Sequence, residues 1–256
     1  AVVATLYLTV YWMEPLKRLE SGPKLSYYIQ DFEPDFFEEG SAEYLNAYRS
    51  YTAIENLLLF TKTLWNKQAL YEKVGVLATV VGPSVDIENF HPSSFMKVGA
   101  TDPVKILAMV RPNTPRRSPK TTMRILQRLA HKFNNLIKIE IFGVDPEDPE
   151  LLVYSSDFLY SNLGEIGSCR VRSALSSADV FIDCSTFQAM GLTAMEAMAS
   201  GAAVVGPLNG GLKEIIVDGH SGILVDTKDE DSIFSGVSQL ITNPALRVKI
   251  QTNALD

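Results

Sequence analysis

From residue 104 onward the chain alternates apolar runs of strand length with amphipathic stretches of helical spacing. This alternation restricts the fold more than any other feature. "VKILAMV" is a continuous apolar strand. "SPKTTMRILQRLAHKF" follows as an amphipathic helix, with Ser118 at the N-cap and Pro119 at the first helical position. "IKIEIFG", "DVFIDCS", "AAVVGPL" and "SGILVD" read as further strands. "CRVRSALSSA", "TAMEAMASG", "GLKEIIVDG" and "DEDSIFSGVSQLIT" read as helices. Strands separated by helices of roughly 10–15 residues predict right-handed βαβ units and a parallel sheet.

The first ninety residues are less regular. "AVVATLYLTVYWM" is apolar and β-rich, and predicts a buried strand. It has no basic flank and is too short to span a bilayer. A chain that begins inside a strand reads as a piece of something longer. A second strand is expected from Leu25 to Gln30, then an acidic turn and a helix. A short strand from Asn56 to Phe60, a helix from Thr63 and a strand in "VLATVV" follow. The stretch Gly82 to Asp102 carries prolines, paired serines and no periodicity. The expected division is therefore 1–90, a linker at 91–101, and a second domain at 102–256.

Lys and Arg number 23 against 30 Asp and Glu, a net charge of −7. Such a chain lacks the broad basic face that nucleic-acid binding needs. A local anion site needs much less, because one helix N-terminus and two arginines suffice for a phosphate. The two cysteines, Cys169 and Cys184, form no disulfide framework and no zinc site, so a reducing, cytoplasmic setting is expected. His91, His131 and His220 are scattered, and no metal is expected.

In parallel sheets the ligand sits beyond the carboxyl ends of the strands. The residues there are Arg111, Gly143, Ser185 and Gly206. Arg111 is followed by Arg116, Arg117 and Lys120. After "VFIDCS", Gly191, Leu192 and Thr193 open a helix; after "AAVVG", Gly210 and Gly211 are expected to open the next. Free N–H groups at two helix starts, with arginines from a third loop, suit a diphosphate. Glu196 lies one turn inside its helix, placed to accept from ribose hydroxyls. Taken singly, each feature has a plainer reading. Glu196 can serve its helix dipole, Gly210–Gly211 can be a turn, and the arginines a solvated surface. Neither GxGxxG nor GxxxxGK[ST] occurs.

Taken together, "FQAMGLTAMEAMASGAAVVGPLNGGLKEIIVDGHSGILVD" closely resembles the donor-site signature of family-four glycosyltransferases. The matches run through Gly191, Leu192, Thr193, Glu196, Ala197, Met198, Ala199 and Gly201, then Gly210, Gly211, Glu214, Asp218, Gly219, Gly222 and Val225. The resemblance implies the two-Rossmann GT-B fold, here an α/β chain with a complete C-terminal Rossmann-like domain and the later part of an N-terminal one. It implies a retaining, metal-independent transferase with a nucleotide-sugar donor and a saccharide acceptor. By it, Arg111 and Arg117 neutralise the diphosphate, and the Leu192 and Thr193 amides hold the distal phosphate. Glu196 takes the ribose, and the turn Asn162 to Ile166, with Gly164, Glu165 and Ile166, frames the base.

Gln188 departs from the family pattern, which places a glutamate there to meet donor-sugar hydroxyls near the reacting centre. The segment "YYIQDFEPDFFEEGSAEYLNAYRSY", with "RPNTPRR", resembles bacterial rhamnosyltransferases of surface polysaccharide synthesis. That implies dTDP-L-rhamnose or a related deoxy sugar as donor, and leaves a membrane surface open as a partner. Two rivals stand beside this reading: a non-catalytic nucleotide-sugar binding module, and a nucleotide-sugar epimerase of the same fold.

Overall fold

The computed structural model describes residues 1–19, 21–92, 103–154 and 157–256. The chain divides into two compact units, Ala1–Ser84 and Val85–Asp256. The division falls before the boundary expected at residue 90, because Phe90 is buried in a core of the second unit. Of the linker expected at 91–101, residues 93–101 lie outside the described residues.

The first unit holds strands β1 (Val2–Ala4), β2 (Leu25–Ile29), β3 (Leu58–Thr61) and β4 (Thr79–Val80), all parallel and side by side in chain order. Helices α1 (Tyr7–Met13), α2 (Ala42–Ser50) and α3 (Leu64–Val74) connect them. The opening apolar run corrects the expectation of one long strand. The strand is confined to Val2–Ala4, and α1 takes over at Tyr7. Thr9 turns the chain: its Oγ1 accepts the N–H groups of Thr5 and Leu6, each at 3.2 Å. Tyr7, Val10 and Met13 then bury at helical spacing, while Leu8 and Trp12 stay exposed. Across the unit, Glu33 accepts the Tyr7 N–H and the Tyr27 hydroxyl, both at 2.7 Å. The helix expected from Thr63 begins at Leu64, with Thr63 as its cap, its Oγ1 accepting the Asn66 N–H.

The second unit is built on strands β5 (Val104–Met109), β6 (Ile137–Phe142), β7 (Ser161–Asn162), β8 (Val180–Ile182), β9 (Ala203–Pro207) and β10 (Ile223–Val225). They form one parallel sheet in the order β10-β9-β8-β5-β6-β7. The intervening helices are α4 (Pro119–Phe133), α5 (Pro149–Tyr154), α6 (Ser168–Ser177) and α7 (Leu192–Ala199). After β10 come α8 (Glu230–Thr242) and α9 (Pro244–Asn253). Alternate strand residues enter two separate cores. Ile106, Ala108, Val180, Ile182 and Val205 face one, and Leu107, Phe181 and Val204 face the other. A sheet covered on both faces needs apolar side chains on both, which is why its strands read as unbroken apolar runs.

Ser118 is the N-cap of α4 and Pro119 its first residue, as expected, but Ser118 is left-handed (φ 49°) and makes no side-chain capping bond. One further expectation is corrected. "GLKEIIVDG" forms only a short 3-10 turn, Gly211–Glu214. The Ser221 hydroxyl accepts the Val217 N–H at 3.0 Å, drawing it away from a helical acceptor. The β-branched run Ile215–Ile216–Val217 adds to the preference against helix. No helix among the described residues is long and apolar enough to cross a membrane.

Candidate functional site

The chain leaves β5 toward β6 and β7, then returns to the other flank of β5 as β8. This reversal places a crevice beyond the carboxyl ends of β5 and β8. Arg111, just past β5, is exposed and lines a cleft of about 420 Å³ together with Phe142, Gly143, Asp148, Glu165 and Ile166. The turn carrying Glu165 is held from both sides. The Gly164 N–H donates to Asn162 Oδ1 at 2.8 Å, and its carbonyl accepts the Gly143 N–H at 2.9 Å. Three expected site residues, Arg111, Glu165 and Ile166, thus share one cleft.

Gln188, Gly191, Leu192, Thr193, Glu196, Gly210 and Gly211 are not in that lining. Most of them gather where the loops after β8 and β9 interlock. Gln188 and Gly210 form a parallel bridge, and the Gly211 N–H donates to the Gln188 carbonyl at 2.8 Å. Gly210 sits at φ +120°, and a Cβ there would lie 2.3 Å from that carbonyl oxygen. Gly191 has φ +81°, and a Cβ would lie 3.1 Å from Leu212 Cδ1. Both glycines are therefore required by backbone geometry and close approach. The expected helix start at Gly210–Gly211 is corrected: no α-helix begins there, and the Gly211 amide is engaged within the protein.

At α7 the expectation of a helix start holds. Met195 makes an early helical hydrogen bond to the Gly191 carbonyl, at 3.0 Å. The N–H groups of Leu192 and Thr193 precede it, with no side-chain cap over them. Leu192 is exposed and Thr193 half-buried. Glu196, one turn on, is half-buried, and burial holds its carboxyl above the usual glutamate range. Among the described residues its carboxylate makes no hydrogen bond or ion pair.

The loop after β5 is tied to the loop after β8. The Arg116 carbonyl accepts the Thr186 N–H at 2.9 Å, and its guanidinium lies 5.9 Å from the Phe187 ring centre. Arg117 is directed elsewhere: its Nη1 is 3.9 Å from Asp183 Oδ2, with the two side chains 18% and 8% exposed. Sequence reasoning missed Asp183. The available signal was a carboxylate placed directly after an apolar strand, where nothing but a partner or a ligand offsets its burial. Cys184 beside it is inert, its thiol pushed by burial up to about 12.

A model of the family described as glycosyl transferases group 1 matches residues 94–256. The D-inositol 3-phosphate glycosyltransferase of Stackebrandtia nassauensis is 26% identical over 201 residues, covering 70% of this chain and 44% of that protein. The chain thus spans less than half the length of this curated relative. Among solved structures, the sucrose-phosphate synthase of Thermosynechococcus elongatus superposes with a TM-score of 0.80 at 17% identity, over 99% of this chain and 67% of that one. HepE of Anabaena in complex with UDP-glucose gives 0.77 at 15% identity, over 99% and 72%. These likenesses show the fold, an α/β architecture of the GT-B glycosyltransferases. With its signature residues inside the matched span, the chain belongs to the glycosyl transferases group 1 family.

Proposed function

We propose that the protein of which this chain is part transfers a sugar from a nucleotide-diphosphate donor to a saccharide acceptor. The second unit holds the donor. One observation carries the reading: uncapped N–H groups at the start of α7, with the unpartnered carboxylate of Glu196 one turn behind them. A helix start favours the diphosphate, and a half-buried carboxylate without a protein donor suits two ribose hydroxyls. Arg111 adds charge beside the cleft, and the turn at Gly164–Ile166 frames the base. Arginine and backbone amides thereby stabilise the leaving diphosphate, and the reaction proceeds with retention and without a metal. The family supports transfer, and the HepE structure of the same fold holds UDP-glucose. The resemblance of the first ninety residues to rhamnosyltransferases directs attention to dTDP-L-rhamnose. A deoxy sugar presents fewer hydroxyls, in keeping with an uncharged residue at 188.

The test is a calorimetric panel of UDP, UDP-glucose, dTDP and dTDP-L-rhamnose, followed by product analysis with a saccharide acceptor. Binding of at least one nucleotide sugar, undiminished by EDTA, is expected. Glu196→Gln should weaken it by roughly tenfold or more, the effect of losing a charge-assisted hydrogen bond. An affinity that Glu196→Gln leaves untouched would remove the basis of the assignment.

A further inference from the structure

Gln188 stands where the family pattern places a glutamate, and its surroundings show what the substitution achieves. The side chain is buried, 4% exposed, and its Nε2 donates to Ser185 Oγ at 2.8 Å. The Ser185 hydroxyl in turn donates to Asp183 Oδ1, whose other oxygen faces Arg117. The Ser185 backbone is fixed as well. Its N–H reaches Asp183 Oδ1 at 3.0 Å, and its carbonyl accepts the Thr227 hydroxyl at 2.8 Å.

The direction of this relay follows from proton counting. An ionised carboxylate only accepts, and a serine hydroxyl has one proton to give. Once Ser185 gives it to Asp183, Oγ can only accept from residue 188. Gln188 must therefore turn its NH2 group inward, which leaves Oε1 as the atom free to meet a ligand. Among the described residues Oε1 has no hydrogen-bond partner, yet it is not a fully buried orphan. A glutamate at 188 would set two carboxylates in competition for one hydroxyl proton.

We propose that Asp183 and Ser185 are positioning residues that fix Gln188 as a neutral hydrogen-bond acceptor for a hydroxyl of the donor's sugar. The sugar half of this rests on the transferase reading above; the relay does not. Gln188 is then an obligate companion of Asp183, not a weakened glutamate. Restoring the family's residue alone harms the protein, and exchanging both residues restores it. In D183N the side-chain oxygen keeps the Ser185 N–H and, as a neutral and weaker acceptor than a carboxylate, yields the Ser185 hydroxyl proton to the carboxylate introduced by Q188E.

The experiment is a double-mutant cycle. At pH 7.5, Q188E should lower Tm by roughly 5–15 °C, the consequence of an uncompensated buried charge. D183N/Q188E should recover most of that loss. Additive changes in Tm would overturn the relay. Should Q188E not fold, S185A decides the matter. It should leave the Kd for UDP and dTDP unchanged, and weaken UDP-glucose or dTDP-L-rhamnose by roughly three- to tenfold, as for a lost neutral hydrogen bond. Equal weakening of nucleotide and nucleotide sugar by S185A would overturn the positioning role. Wild-type protein that binds UDP and its sugar equally, and dTDP and its sugar equally, would overturn the sugar contact. Binding of no nucleotide at all would defeat the transferase reading, and the melting cycle would still decide the relay.

Discussion

Glu196 combines two opposed demands in one side chain. Its carboxyl titrates above the usual range because burial disfavours the charged form. A group whose folded pKa is raised contributes stability below its unfolded pKa and loses it as pH rises through the folded value. Glu196→Gln should therefore raise Tm at pH 7, with the gain vanishing toward pH 4, while nucleotide-sugar affinity falls. Donor affinity of the wild type should decline on acidification at a higher pH than an ordinary glutamate requires, and the glutamine variant should lose that dependence in calorimetry. The two arginines should separate in the same assay. Arg111→Ala should weaken UDP or dTDP by roughly tenfold with little change in Tm. Arg117→Ala should instead cost stability, since it removes the guanidinium that faces buried Asp183. The place of Glu196 one turn inside its helix was legible from the sequence. The orientation of Arg117 was not, because three basic residues on one irregular loop carry no period to say which turns inward.

At the level of helices and strands, legibility tracked periodicity. β5, α4 and β6 lie where the sequence predicts them because each pattern admits one period. The run "TLYLTVYWM" admits two, and hydrogen bonds to Thr9 together with the Tyr7 contact to Glu33 decide for helix. The "GLKEIIVDG" stretch looked helical by spacing, but Ser221 competes for its backbone. The interlock of the loops after β8 and β9 joins residues far apart in sequence, so only the paired glycines hinted at it. Gly210→Ala should destabilise the protein by roughly 2–4 kcal/mol in denaturant melts, since a Cβ there meets the Gln188 backbone in a left-handed conformation. Nucleotide binding should fall with it, through disturbance of the Gly191 cap that packs against Leu212.

For the chain as a whole, each compact unit encloses a core of its own. Calorimetric scans should accordingly resolve two transitions, of which a bound nucleotide raises only the one belonging to Val85–Asp256. The two-unit organisation was legible in the change of rhythm near residue 100; its position was not, because Phe90 is committed by a tertiary contact rather than by local pattern. The central seam of the larger sheet joins Ile106 to Val180 and Ala108 to Ile182. A ribosome delivers β6 and β7 long before β8, so for that interval the nascent polypeptide carries β5 with one bare flank rich in unmet peptide groups. Such an edge invites the wrong neighbour. The topology that creates the crevice thus also leaves β5 with an edge open to mispairing until β8 is made.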